Sequence, residues 1–206
     1  MENATIRPVI EKLEQVFDTF NQRFYNSELE RPVITVAQDT TSGAYGWFTT
    51  WRAWQEEGSE GYYEINICAE TLNRPFHETV GTLLHEMAHL YAQMKGIKDT
   101  SRGGTYHNKR FKAIAEEHGL VIENTHTYGW TKTSLQAETK DFIDTMNFEG
   151  FKLRRLSPEK SASKKKSSSR KYVCPECGQS VRATKEISIL CGECTSENNL
   201  IYMEVE

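Results

Sequence analysis

His85, Glu86 and His89 stand together in His85-Glu86-Met87-Ala88-His89, within the longer run Thr79-Val-Gly-Thr-Leu-Leu-His-Glu-Met-Ala-His-Leu-Tyr-Ala. Apolar residues recur through it at helical spacing, and residues four apart share one face of a helix. The two imidazoles can therefore grip one zinc ion. Glu86 lies one step round, where its carboxylate can take a proton from water on that ion. Two imidazoles and a base at this spacing are the minimum equipment for zinc-dependent hydrolysis of a peptide bond. The bland alternative is a helix carrying two surface histidines. Val80, Leu83, Leu84, Met87 and Leu90 make most faces of this helix apolar, which predicts burial. Buried His and Glu need partners, and a metal supplies them.

A catalytic zinc requires a third protein ligand and an open position. The position ten residues after His85, where the metzincin pattern requires His, holds Lys95, so that class is excluded. His107, Glu116, Glu117, His118 and His126 are the candidates further on. A helix read from His107 to His118 would point His107 the same way as Phe111, Ile114, Ala115 and His118. Gly103-Gly104 before it would let the loop approach the metal closely. His107 is the preferred ligand; a glutamate ligand from Glu116 or Glu117 is the rival reading, and helix capping the bland one. Tyr106, Arg110 and Tyr128 are candidates for a second stabiliser of the oxyanion.

Cys174-Pro-Glu-Cys177 and Cys191-Gly-Glu-Cys194, with thirteen residues between the pairs, use four of the five cysteines. Each Cys-x-x-Cys can form a tight knuckle that offers two thiolates, so the four predict a structural zinc. A redox dithiol is the runner-up, but the ~35-residue tail is too small for a thioredoxin-like core, and without metal it could not bury enough surface to fold. Val173, Val181, Ile187, Ile189 and Ile201 suit the strands of a zinc ribbon. Cys68 reads as a small buried side chain.

The elements that must carry these residues follow from periodicity. Arg7 to Tyr25 reads as an amphipathic helix, and Pro32–Ala37, Ala44–Trp54 and Tyr62–Cys68 as strands. The metal helix runs from about Pro75 to Lys95, with Gly96 as its cap. Val121-Ile122 reads as a short strand and Ala137 to Met146 as a helix. Helix, three strands, then helices indicates an α+β domain. Tyr45, Trp47, Phe48, Trp51 and Trp54, with Arg52 among them, read as core packing in a half-buried strand rather than a platform for stacking bases.

The net charge of −4 hides a strong asymmetry. Residues 151–171 hold nine Lys/Arg and one Glu, residues 172–206 carry −4, and residues 1–150 carry −8. Lys152, Arg154, Arg155, Lys160, Lys164, Lys165, Lys166, Arg170 and Lys171 could contact phosphates blindly to sequence, or simply solubilise a linker. The cysteine tail is acidic and lacks the basic footprint of a DNA reader. No apolar run approaches the ~18 residues that span a bilayer. The start, Met1-Glu-Asn-Ala-Thr-Ile-Arg, has no signal-peptide pattern, so a cytoplasmic location is expected.

Leu83-Leu-His-Glu-Met-Ala-His-Leu, then Gly96-Ile-Lys-Asp-Thr-Ser-Arg-Gly-Gly-Thr-Tyr-His-Asn-Lys-Arg-Phe and Glu116-Glu-His-Gly-Leu, together with the cysteine ribbon, resemble the SprT-like metalloprotease family over most of the chain. The resemblance implies a zincin-like metalloprotease domain at 1–150, a basic Ser/Lys-rich linker at 151–171 and a four-cysteine zinc ribbon at 172–206. It implies zinc at His85, His89 and His107 with Glu86 catalytic, and a second, structural zinc at Cys174, Cys177, Cys191 and Cys194. Relatives of the Spartan type cleave proteins crosslinked to DNA, which makes a DNA-associated protein the expected substrate, with DNA contact through Lys164, Lys165, Lys166, Arg170 and Lys171. The competing expectation is a zinc-stabilised adaptor, binding DNA or protein, that makes no catalytic use of the site.

Overall fold

A computed structural model describes residues 5–38, 43–156 and 169–205. The chain divides into two compact units, Met1–Ser157 and Pro158–Glu206. Both helices and sheets build the first, so the class is α+β. No helix among the described residues is long and apolar enough to cross a membrane.

The first unit begins with α1 (Arg7–Tyr25), which has a proline in its first turn and ends on a left-handed Asn26. Leu13, Val16, Phe17 and Phe20 line its buried face, as their three- and four-residue spacing dictates. Strands β1 (Val33–Ala37), β2 (Gly46–Phe48) and β3 (Glu64–Cys68) follow. They form a sheet in the order β1-β3-β2, in which β1 runs parallel and β2 antiparallel to β3. Helix α2 (Phe76–Met94) packs against this sheet and α1. It is buried nearly all round, as its composition predicts. Gly96, at φ +65°, lets the chain turn back so that Ile97 N–H donates to the Ala92 carbonyl, the exit that glycine favours.

A second sheet takes the order β4-β5-β7-β6. It comprises β4 (Thr100–Ser101), β5 (Tyr106–His107), β6 (Leu120–Thr125) and β7 (Gly129–Leu135), with α3 (Lys109–Glu117) between β5 and β6. The sequence predicts a short strand at Val121-Ile122 but no β7. The Thr-Lys-Thr-Ser segment of β7 is polar, yet alternates between a half-buried and an exposed face. Helix α4 (Ala137–Thr145) is the last element among the described residues of the unit, and Phe151 joins its core.

Two local expectations need correction. His107 is on a strand and not at the start of the helix. Asn108 is the N-cap, its side-chain oxygen accepting from the N–H groups of Arg110 and Phe111. That cap starts the helix later than expected and frees His107 to pair with Thr100. The aromatic run is not a long core strand either. Only Gly46–Phe48 pairs as a strand, and Tyr45, Trp51 and Trp54 are 52%, 65% and 45% exposed. An edge strand of three residues cannot bury aromatics that lie beyond its ends.

The second unit contains β8 (Arg170–Val173), β9 (Ser180–Ala183) and β10 (Glu204–Val205), in the order β10-β8-β9. Its buried cluster is small: Tyr172, Cys174, Cys191 and Met203.

Candidate metal centres

Helix α2 presents His85 and His89 one turn apart, and β5 brings His107 to them. Nε2 of His107 lies 3.2 Å from Nε2 of His85 and 3.0 Å from Nε2 of His89. Glu116, Glu117, His118 and His126 are not part of this group. Glu116 pairs with Lys112, and His118 stacks on Tyr25 with its Nδ1–H donating to the Ile114 carbonyl.

The outer nitrogens of two imidazoles are held. His89 Nδ1–H donates to Asp99 Oδ2 at 2.5 Å. His85 Nδ1 lies 2.7 Å from Thr133 Oγ1, whose own proton goes to the Thr131 carbonyl. The Thr133 oxygen therefore accepts from His85. Both Nε2 atoms are thereby left as lone pairs facing His107. A proton on His107 Nε2 could serve only one of them, whereas a metal ion serves all three. Zn–N bonds of ~2.0–2.1 Å at tetrahedral angles put nitrogens roughly 3.3 Å apart, close to the observed spacing. Burial, followed by the neighbouring His89 and His107, holds the His85 pKa well below its usual value. Burial and His89 lower that of His107 to about 4. Neutral imidazole, the form that ligates metal, is thus favoured.

Glu86 is 6% exposed and shares a cleft of about 700 Å³ with the three histidines. Burial raises its pKa to about 7 in the metal-free protein, with Asp99 adding to the rise and His89 opposing it. Between about pH 4.5 and 7 the folded chain therefore keeps a proton that the unfolded chain releases. The stability this contributes is fully present below about pH 4.5 and lost as pH rises through about 7. Glu86→Gln removes that titration. In urea melts of metal-free protein, the variant should gain on wild type as pH rises from about 4.5 to about 7, by about 3 kcal/mol. A pH-independent difference would show that Glu86 is solvated.

Sequence reasoning missed the residues that aim this site. Asp99 and Thr133 orient the histidines. Removing such a partner commonly costs about 10–100-fold in metal affinity. Asp99→Ala should therefore weaken zinc binding by about that factor in competition with a chelator, with the fold intact. Two glycines permit close approaches. A Cβ on Gly46 would stand 2.7 Å from the Asn66 carbonyl oxygen and 3.4 Å from a Glu86 oxygen. Gly129 sits at φ +73°, and a Cβ there would lie 2.3 Å from the His107 carbonyl oxygen. Gly129→Ala meets both left-handed strain and that clash, so it should destabilise the fold by about 3 kcal/mol and weaken zinc binding through His107. Denaturation combined with zinc titration reads both. The alternation around Thr131 and Thr133 was the one sequence signal for this strand.

Tyr106, Arg110 and Tyr128 do not line the cleft. Tyr106 packs under Arg102 instead, and Tyr128 is exposed.

In the second unit, Cys174, Cys177, Cys191 and Cys194 place their sulfurs within 4.8 Å of one another. Cys177 and Cys191 are 3.7 Å apart, too far for a disulfide. Zn–S bonds of ~2.3 Å at tetrahedral angles give an edge of roughly 3.8 Å. Backbone N–H groups, first that of Cys177, lower the Cys174 pKa to about 7, while the hydrogen bond with Cys177 pushes that of Cys194 up to about 12, so in the metal-free cluster Cys174 is the favoured thiolate. Among the basic residues, Arg155 pairs with Glu70 and Lys152 with Glu149. Arg170 and Lys171 open β8. Lys160, Lys164, Lys165 and Lys166 lie outside the described residues.

A family model described as the SprT-like family matches residues 13–140. The match spans His85, Glu86, His89, Asp99, His107 and Thr133, and more than half of the chain. No curated protein and no solved structure matches the chain.

Proposed function

Because this chain belongs to the SprT-like family, we propose that it is a zinc-dependent endopeptidase whose first unit is zincin-like. The observation that carries this reading is the convergence of three imidazoles beside a buried glutamate in one cleft. A structural zinc site would have no use for that carboxylate. When bound at His85, His89 and His107, zinc polarises a carbonyl and acidifies water to a pKa of about 7.

The chain's own residues do the rest. Asp99 and Thr133 hold the imidazoles of His89 and His85 in place. Glu86 takes a proton from the attacking water and delivers it to the leaving amine.

The substrate we propose is a DNA-associated protein, acted on in the cytoplasm. Resemblance to Spartan-type relatives and the +8 charge of residues 151–171 support this. Zinc-loaded full-length protein should cleave a DNA-binding substrate, faster with single-stranded DNA present. Deleting residues 157–168 should weaken that stimulation, and raised salt should abolish it. Cleavage indifferent to DNA and salt would leave a peptidase with no nucleic-acid link. DNA binding without any cleavage would identify an adaptor.

A further inference from the structure

Arg74 is a second polar feature of the cleft, unused by the chemistry above. It stands just before α2 and lines the same cleft as Glu86. Its side chain is only 16% exposed. Nε donates to the Thr71 carbonyl and Nη2 to Thr82 Oγ1. The guanidinium lies against the Tyr45 ring, 3.9 Å from its centroid. Among the described residues its acidic neighbour is Glu78, which ion-pairs with Nη1 at 3.8 Å, beyond hydrogen-bond length.

A sheltered guanidinium whose ion-pair partner is an exposed carboxylate that makes no hydrogen bond to it is costly to keep charged. Burial accordingly holds its pKa below the usual arginine range. An anion entering the cleft would relieve that cost. Two threonine contacts and an aromatic face fix the guanidinium plane, and a fixed guanidinium recognises a carboxylate in preference to a simple positive charge's less directional pairing.

We propose that Arg74, backed by Tyr45, is a carboxylate-binding subsite of the peptide cleft, which selects substrates with an acidic side chain or a free C-terminus near the scissile bond. The proposal rests on the peptidase reading for its bond-cleaving partner, Glu86. Thr82, which holds Arg74, precedes Glu86 by four residues on α2. Four residues of helix rise about 6 Å, the length of about two residues of extended peptide. The acidic group should therefore fall about two residues from the bond that is cut.

The test uses zinc-loaded full-length Glu86→Gln protein and fluorescein-labelled decapeptides of Ala and Ser. One set carries a single Glu at successive positions, and a matched set carries Gln. The Gln peptides are made with free and with amidated C-termini. We expect one Glu position, or the free C-terminus, to tighten binding by about tenfold. Adding Arg74→Gln should bring that ratio to about one, and Arg74→Lys should restore it only in part. Tyr45→Ala, which leaves the buried hydrogen bonds alone, should lower the ratio and covers the case in which Arg74→Gln does not fold. A preference for Glu over the free C-terminus assigns the subsite to side chains, and the converse to chain ends. No discrimination at any position, or discrimination that survives Arg74→Gln, overturns the proposal. The same peptides given to wild-type protein separate the two ideas. Cleavage without discrimination leaves the peptidase and removes the subsite; Arg74-dependent binding without cleavage does the reverse.

Discussion

Glu86→Gln should leave zinc at the three histidines and lower peptide cleavage by about 10²–10⁴-fold. The side chain keeps its shape, so the burial that surrounds Glu86 is undisturbed. What it loses is the ability to hold a proton between water and the leaving amine. Zinc content by elemental analysis and kcat/KM on one protein substrate make the comparison. Full activity in the variant would remove Glu86 as the base and pass that role to another group in the cleft. Loss of zinc along with activity would mean that the carboxylate supports the metal instead.

Cys174→Ser should unfold the second unit and lower the zinc bound per chain by one ion. Among its described residues that unit buries only Tyr172, Cys174, Cys191 and Met203 as its core, and two of the four are cysteines. So little apolar area cannot offset the entropy of ordering roughly 35 residues. Metal binding in comparable zinc domains supplies about 10–16 kcal/mol of apparent free energy, and a chelator should have the same effect as the substitution. Amide chemical shifts of residues 169–205 report it directly: they should collapse to unfolded values. Dispersed shifts after metal removal would refute the structural role of the zinc. The first unit has a core of its own spanning α1, α2, α3 and both sheets, and should keep its melt.

The chemistry-bearing residues were legible because their signal is local. His85, Glu86 and His89 follow from a four-residue spacing on one helix, and the cysteines from two knuckles of fixed geometry. The helices read well for the same reason: periodicity places α2 from about Pro75 to Lys95, and it spans Phe76–Met94. His107 was reached for a partly mistaken reason, as a helix residue, although it lies on a strand next to the Asn108 cap. Its inward direction survived because the capped helix and the glycine turn both bring that stretch against α2. The aromatic run misled because alternation implies a half-buried strand only where a partner strand continues alongside. Here the regular ladder with β3 ends at Phe48, and beyond Thr49 N–H on the Glu64 carbonyl there is an isolated bridge of Trp54 to Tyr62.

The sequence by itself determined the donor types and the helix that carries His85, Glu86 and His89, since each depends on residues close in the chain. Tertiary structure alone decided how the histidines are aimed. Asp99 reaches His89 across ten residues, and Thr133 reaches His85 across forty-eight. Gly129 gives β5 room to lie against β7, and Gly46 gives β2 room to lie against Glu86. Arg74 becomes a cleft residue only because Thr82 and Tyr45 converge on it. Such contacts arise from the packing of separate elements, and no spacing along the chain encodes which elements meet.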